Sequence, residues 1–444
     1  MLGHPRGLFL LFFTEAWERT QYYGMRAFLV LYLVDKTRGL GWTDGQALAF
    51  YGWYTGLVYL TPVIGGWLAD RYLGQRLSVV IGGTLMMVGQ FLCALKSEPL
   101  LYVALVFLVV GNGFFKANIA TMVGQLYGRG DPRRDSAFTI FYMGINLGGM
   151  VGPLICGTLA EKVDWSLGFA SAGLGMALGV LIFLALKRRL LGEVGTFGYE
   201  QRKTATGKVV TGPLTKEERE RVIVIFVIAF FVIAFWAAYE QGGGLMNLFT
   251  DRKIDRMLLG HEIPTTTFQS VNSFFILLLA PPFAILWPWL ARRKKEPSTA
   301  AKMGFGLLQL AAGFLLLVAA AHQAEVAGKA AAIWMVGAYF LHTTGELSLS
   351  PVGLSMVTKL APKKLASALM GVWFLANFVG NKLAGVIGSL SEVYGDFRVF
   401  LGIAIGSAAA GVILLAIAPV LQRMTHGAEA PAQPVEAGAA VPAG

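Results

Sequence analysis

GLFLLFFTEAWERTQYYGMRAFLVLYLV, residues 7–34, is the stretch on which the fold turns. Its apolar ends and its length suit a helix crossing a bilayer, which needs ~20 residues. Yet Glu15, Glu18, Arg19 and Arg26 sit inside it. At 3.6 residues per turn, Glu15, Glu18, Arg19, Tyr22, Tyr23 and Arg26 fall within about 140° of arc, so one polar stripe runs down an otherwise apolar cylinder. Charge at that depth is tolerated where it faces protein or a water-filled cavity. The segment therefore predicts a bundle around a wet interior. It lacks the short apolar core and small-residue cleavage pattern of a signal peptide, and is read as a retained first helix.

Working outward, eleven further apolar spans follow at 47–68, 77–95, 100–126, 136–161, 165–186, 222–249, 267–290, 303–321, 330–358, 365–390 and 398–421. The chain is 55% hydrophobic and 14% charged, against about a quarter charged for a soluble domain. Its 55 glycines suit close helix packing in lipid. The expected fold is an all-α membrane protein of twelve helices. The polar stretch 187–221 divides it into a six-helix half at 1–186 and another at 222–426, with a disordered tail at 427–444. Ala16-Trp17-Glu18 is echoed by Ala238-Tyr239-Glu240, and Asn146-Leu-Gly148 by Asn377-Phe-Val-Gly380. At a six-helix offset these echoes suggest parallel repeats of the major facilitator kind.

The net charge of +11 does not point to nucleic acid, because the basic residues gather in alternate loops and are not interleaved with aromatics on a polar face. Arg71, Arg76, Arg129, Arg133, Arg134, the run from Lys187 to Arg221, Arg292 to Lys295, Lys363 and Lys364 all fall on one side. The positive-inside rule makes that side cytoplasmic. Both termini then face the cytoplasm, in an inner, cytoplasmic-type membrane. Cys93 and Cys156 lie in apolar spans, so neither a disulfide framework nor a metal cluster is readable. The expected working unit is a monomer in the lipid bilayer.

Glu15, Glu18, Arg19, Arg26, Lys116, Glu240 and Glu346 are the ionisable residues well inside apolar spans. At about 2.5–3.5 kcal/mol per central charge, seven unpaired would cost roughly 17–25 kcal/mol, beyond the stability of a fold. They must pair, neutralise or face water. Four acids against three bases leave a set that one proton neutralises, as a proton-coupled machine needs. The alternative is a set of static ion pairs between helices. His342 reads as a packed histidine more readily than as a relay. Trp236 and Trp373, one turn from Glu240 and Asn377, read as cavity walls or as ordinary packing. Pro62, Pro153, Pro281, Pro282, Pro288 and Pro351 are tolerated in membrane helices, where some act as hinges.

EAWERTQYYG at 15–24 closely resembles the ExxERFxYYG signature of the proton-dependent oligopeptide transporter family, a branch of the major facilitator superfamily, departing from it at Thr20. The resemblance extends to GGWLADRYLGQR (65–76), GNGFFKANIATMVGQLY (111–127), FYMGINLGG (141–149), FWAAYEQ (235–241), FQSVN (268–272), GELSLSPVGLS (345–355) and MGVWFLANFVGNKLAG (370–385). It covers both halves. It implies the superfamily fold, two six-helix bundles, and a proton-coupled symporter importing di- and tripeptides by alternating access. Glu15, Glu18, Arg19, Lys116 and Glu240 would couple protons. Arg26 and Lys116 would receive the peptide carboxylate, and Glu346 with Asn272 its amine. Tyr22, Tyr23, Tyr59, Asn146, Trp236, Glu240, Ser350 and Trp373 would line the pocket. The resemblance also implies that Lys116–Glu346 and Arg26–Glu240 form and break as the cavity closes and opens.

The two additional helices of many bacterial members have no counterpart in the polar stretch 187–221. No cofactor is expected beyond the proton as coupling ion. A carrier of nitrate or another small anion on the same fold is the nearest rival, and a passive channel the rival of another class. No nucleophile with a base and no phosphate loop is visible, so no enzyme is expected.

Overall fold

The computed structural model describes residues 3–128, 131, 133–197, 213–362 and 365–428, except for the side chains of Pro351, Leu354 and Ser367. Among them run twelve helices of 19 residues or more. The first six are α1 Arg6–Val34, α2 Asp44–Leu68, α3 Gln75–Cys93, α4 Glu98–Gln125, α5 Arg133–Gly152 and α6 Trp165–Leu191. The second six are α7 Lys216–Tyr239, α8 Thr267–Arg292, α9 Thr299–Ala327, α10 Ile333–Leu360, α11 Ala366–Ser389 and α12 Asp396–Met424. Ten are apolar enough to span a membrane by composition. The other two, α1 and α10, carry polar clusters, the acidic stripe on one and His342, Thr343, Thr344 and Glu346 on the other.

Three helices are prolonged by irregular turns. A π turn, Ala69–Leu73, extends α2. Another, Pro153–Gly157, carries α5 on to Lys162. In α7 a 3-10 turn, Glu240–Gly243, leads into Leu245–Lys253. The polar connection between the halves is shorter than the expected 187–221. Lys187, Arg188 and Arg189 continue α6, where cations suit a helix C-terminus, and a capping box of Thr215 and Glu218 starts α7 early. Residues 198–212, Arg129, Lys363, Lys364 and the tail from residue 429 lie outside the described residues.

The packing repeats with a step of six helices. In the first half α1 packs on α5 and α6, α3 on α4 and α6, and α2 on α4. In the second half α7 packs on α11 and α12, α9 on α10 and α12, and α8 on α10. Each pair maps on its counterpart, as parallel repeats require. Each half encloses its own apolar core, one around Phe28, Phe115 and Phe169 and the other around Phe235, Phe314 and Phe400.

The halves meet through α2 with α11 and α5 with α8, again related by the six-helix step. We call the side where α1 begins and α12 ends the terminal face, and the opposite side the far face. At the far face the halves close. A Cβ added at Gly52 of α2 would lie 2.8 Å from the Cα of Gly385 on α11, a backbone approach only glycine permits. Asn247 Nδ2 donates to Ala27 O at 2.6 Å, and Ser270 Oγ to Met150 O at 2.8 Å. Towards the terminal face they part. The buried residues of α8 are Phe268, Ser270, Ser273 and Ile276, all in its first half. Beyond them an apolar crevice of about 530 Å³ opens between α5, α8 and α10.

Candidate functional site

Charges gather where the halves face each other. On α1 the stripe folds onto itself. Arg19 Nε lies 2.9 Å from Glu15 Oε1 and also contacts Glu18, and Asn112 Nδ2 of α4 donates to Glu18 Oε1 at 3.2 Å. All three α1 side chains are buried. The contacts with Arg19 are charge contacts more than directed hydrogen bonds. Arg19 Nη2, Glu15 Oε2 and Glu18 Oε2 have no hydrogen-bond partner. Two carboxylates thus share one guanidinium.

Lys116, half-buried on α4, stands apart from these pairs with Nζ 4.0 Å from the centre of the Tyr59 ring. An aromatic face attracts a cation without neutralising it. Among the described residues Lys116 forms no ion pair, though it interacts electrostatically with Glu18, Glu15 and Glu240.

Two turns on from Arg19, at the end of the stripe, Arg26 crosses to the other half. Its Nη2 lies 2.5 Å from Glu240 Oε2, and its Nε donates to Tyr51 Oη at 2.7 Å. The 3-10 turn makes room for this bridge. A Cβ at Gly243 would lie 1.9 Å from Tyr51 Oη and 2.9 Å from Arg26 Nε, so a side chain there would displace the guanidinium.

Glu346 on α10 is held by neutral donors. Tyr239 Oη donates to its Oε2, and Asn272 Nδ2 approaches the same oxygen at 3.4 Å. Asn272 also donates to Tyr239 Oη at 2.7 Å and Thr343 Oγ1 at 2.9 Å. Of the two expected bridges, Arg26–Glu240 is formed and Lys116–Glu346 is not. The formed one lies towards the closed end, and the unformed one spans halves that have parted.

Between these clusters is a small chamber of about 40 Å³, walled by Tyr23, Arg26, Gln269, Asn272, Tyr239 and His342 among others. Arg26 of the bridge and Tyr239 and Asn272, which hydrogen-bond Glu346, stand in its wall, whereas Glu15, Glu18, Arg19, Lys116, Glu240 and Glu346 themselves are not among the residues that line it. Tyr22 is buried beside Arg19, whose Cζ is 5.4 Å from its ring centre. Trp236 packs edge-on against Tyr239 at 5.2 Å between ring centres. Asn146, Ser350 and Trp373 stand outside the chamber. Asn146 borders the apolar crevice and donates to Tyr142 O of its own helix at 3.0 Å, Trp373 packs on Gly353, and Ser350 is half-buried on α10.

His342 is fully enclosed, its ring centre 4.7 Å from that of Phe314 and its Nε2 without a hydrogen-bond partner. Tyr51 and Thr343 are site residues that no feature of the sequence marks, and Tyr239 is marked only by the internal echo and the FWAAYEQ block it belongs to. The Gly242-Gly243-Gly244 run was the available signal, since it breaks α7 where Tyr239 and Glu240 turn to different partners. No group of three or more His, Cys, Asp or Glu among the described residues is disposed to hold a metal.

Comparison with known proteins bears on this arrangement. The model of the POT family, PTR2, matches residues 76–191 and 199–398. A peptide transporter of Yersinia enterocolitica is 36% identical, over 87% of this chain and 88% of its own. The di-/tripeptide transporter of Lactococcus lactis subsp. lactis is 33% identical, over 95% and 97%. A crystal structure of a peptide transporter POT in complex with alafosfalin superposes with a TM-score of 0.88, at 36% identity over 96% of both chains.

Proposed function

The chain belongs to the POT family, and from that premise we propose that it is a symporter carrying di- and tripeptides into the cell with protons by alternating access. The observation that carries this reading is fixed charge of opposite sign on the two sides of the chamber, with Arg26 in its wall and Glu346 one hydrogen bond behind Tyr239 and Asn272. Arg26 and Lys116 stand on the first half, and Glu346 on the second. A zwitterionic peptide needs those two poles, and the chamber of about 40 Å³ between them must widen to admit one. Its carboxylate would meet Lys116, which has no anion to release first. Its ammonium would replace the Tyr239 hydroxyl at Glu346.

Proton coupling rests on the α1 stripe. Two buried carboxylates on one guanidinium carry an excess negative charge, and a proton on Glu15 or Glu18 removes it. The terminal face, which carries Arg71, Arg76, Arg133, Arg134 and Arg188, is the cytoplasmic one in this reading. The conformation, closed at the far face and parted at the terminal face, is then inward-open.

Purified protein in liposomes tests the proposal. Labelled dialanine should accumulate under an imposed inward proton gradient, collapse with an uncoupler, and be displaced by other peptides but not by nitrate. Glu18→Gln should abolish accumulation while leaving peptide exchange across the membrane. Nitrate displacement would favour the anion reading, flux without accumulation a channel, and uphill uptake by Glu18→Gln would remove the coupling role.

A further inference from the structure

At the far face two carboxylates reach across from one half to the other. Glu161, in the last turn of α5, accepts from the backbone amides of Thr265 and Thr266, each at 2.8 Å. These amides open the first turn of α8, where Thr267 N, Phe268 N and Gln269 N already bond Pro264 O, Thr265 O and Thr266 O. Thr265 N and Thr266 N therefore belong to the amides that a helix start leaves without intrahelical partners. Both threonines are fully buried, so water is kept from the amides that Glu161 serves. Arg256, only 10% exposed, lies 3.9 Å from the same carboxylate and holds Glu262 at 2.8 Å.

The second carboxylate is Glu392, in the turn that ends α11. Its Oε2 accepts from Gly45 N at 2.6 Å and Thr43 Oγ1 at 3.2 Å, at the start of α2. The step of 231 residues that carries Asn146 onto Asn377 carries Glu161 onto Glu392. The step of 222 that carries Glu18 onto Glu240 carries Thr43 onto Thr265. The two contacts thus join equivalent helix ends with donor and acceptor helices exchanged between the halves, although one serves the Thr265 and Thr266 amides and the other the Gly45 amide and the Thr43 hydroxyl. A carboxylate at a helix N-terminus gains charge-assisted hydrogen bonds and the favourable end of the helix dipole.

We propose that Glu161 and Glu392 are a repeat-related pair of positioning residues for transport. Each caps a helix of the opposite half, and together they hold the far face shut until cargo must be admitted from that side. Opening that face separates α5 from α8 and α2 from α11, so both caps break in the same movement. The pair acts on the balance between conformations and touches neither cargo nor the chamber. Glu161, more enclosed and serving two amides, carries the larger share. The inference rests on the alternating-access part of the proposed function, not on the identity of the cargo.

Distance measurement by electron spin resonance in nanodiscs, without cargo, tests it. Labels go at Lys162 and His261, which are exposed at the far ends of the two halves, with the buried Cys93 and Cys156 left in place. The long-distance population should rise about tenfold in Glu161→Ala and about threefold in Glu392→Ala, with the two effects compounding in the double variant. Glu161→Gln, which keeps an acceptor oxygen and loses the charge, should fall between wild type and Glu161→Ala, and it carries the test if the alanine variant does not fold. Unchanged distances in folded single and double variants would overturn the proposal. A far face that stays shut in every variant, while wild-type protein still takes up dialanine, would leave the peptide reading standing and remove this pair from the gate. Distances that respond as expected in protein that takes up no dialanine would uphold the gate and remove the peptide reading.

Discussion

Glu18 and Glu240 occupy equivalent places in the two repeats, yet they are neutralised in opposite ways. Glu18 takes its cation from the next residue, Arg19, within one helix. Glu240 takes its cation from Arg26 of the other half. A pair inside one rigid helix survives any rocking of the halves, whereas a pair across the interface is made or broken by it. The comparison separates two tasks that the sequence shows only as a set of charges. In the proposed reading the first half keeps a self-contained group to gain and lose a proton, and the second half contributes an acid whose partner, Arg26, lies across the interface.

Breaking the cross-interface pair should have the largest effect. Arg26→Ala leaves Glu240 buried without its cation, which costs about 3–5 kcal/mol in the closed-far-face conformation. Dialanine uptake in liposomes should be lost and thermal stability lowered. Arg26→Met combined with Glu240→Met should recover the stability but not the uptake. A wild-type melting temperature for Arg26→Ala would show that the pair does not clamp the halves.

A smaller effect sharpens the contrast at Glu346. Tyr239→Phe removes a hydroxyl that bridges Glu346 and Asn272, a loss of about 1 kcal/mol. The expected outcome is a several-fold change in the apparent KM of uptake with little change in maximal rate. An unaltered KM would mean that the hydroxyl is not displaced by cargo.

The smallest effect lies outside the membrane. Asp35, in the far-face loop after α1, is partly buried, which raises its pKa. Donors from Thr37, Trp165 and Arg38 outweigh that and bring it from 3.8 down to about 2. A carboxyl depressed in the folded state stabilises it above the unfolded value, and that contribution fades as pH falls from 3.8 through 2. Asp35→Asn should cost at most about 1 kcal/mol at neutral pH after solvent screening. Melting curves of variant and wild type should converge near pH 2, and a gap independent of pH would assign the effect to packing.

Much of the fold was legible because lipid imposes length and polarity on each span. The expected 7–34, 47–68 and 267–290 correspond to Arg6–Val34, Asp44–Leu68 and Thr267–Arg292. Among the ends that moved, those at Leu191 and Lys216 are polar turns whose helicity comes from a capping box and helix-forming cations. The charged site residues were legible because charge in an apolar span needs a reason. Their partners were less so. Arg26 finds Tyr51 on the next helix, and Tyr239 finds Glu346 on a helix 107 residues away. A lone tyrosine in an apolar span does not announce its facing. The caps, Glu161 and Glu392, lie at the last residue of the expected span 136–161 and just past the expected span 365–390, where an acid reads as an ordinary helix end, and only their crossing between halves distinguishes them.

The two faces of α8 differ in one further way. Its start is anchored through Thr265 and Thr266, while Pro281 and Pro282 lie where it has left α5. Prolines at those places give no amide to the carbonyls of Leu277 and Leu278, so two rungs of the ladder are missing in succession. A rod fixed at its root and notched at mid-length bends at the notch. The arm of α8 beside the crevice is therefore the part least held by its own backbone, and its root at Thr265 and Thr266 the part most tightly tied to the other half.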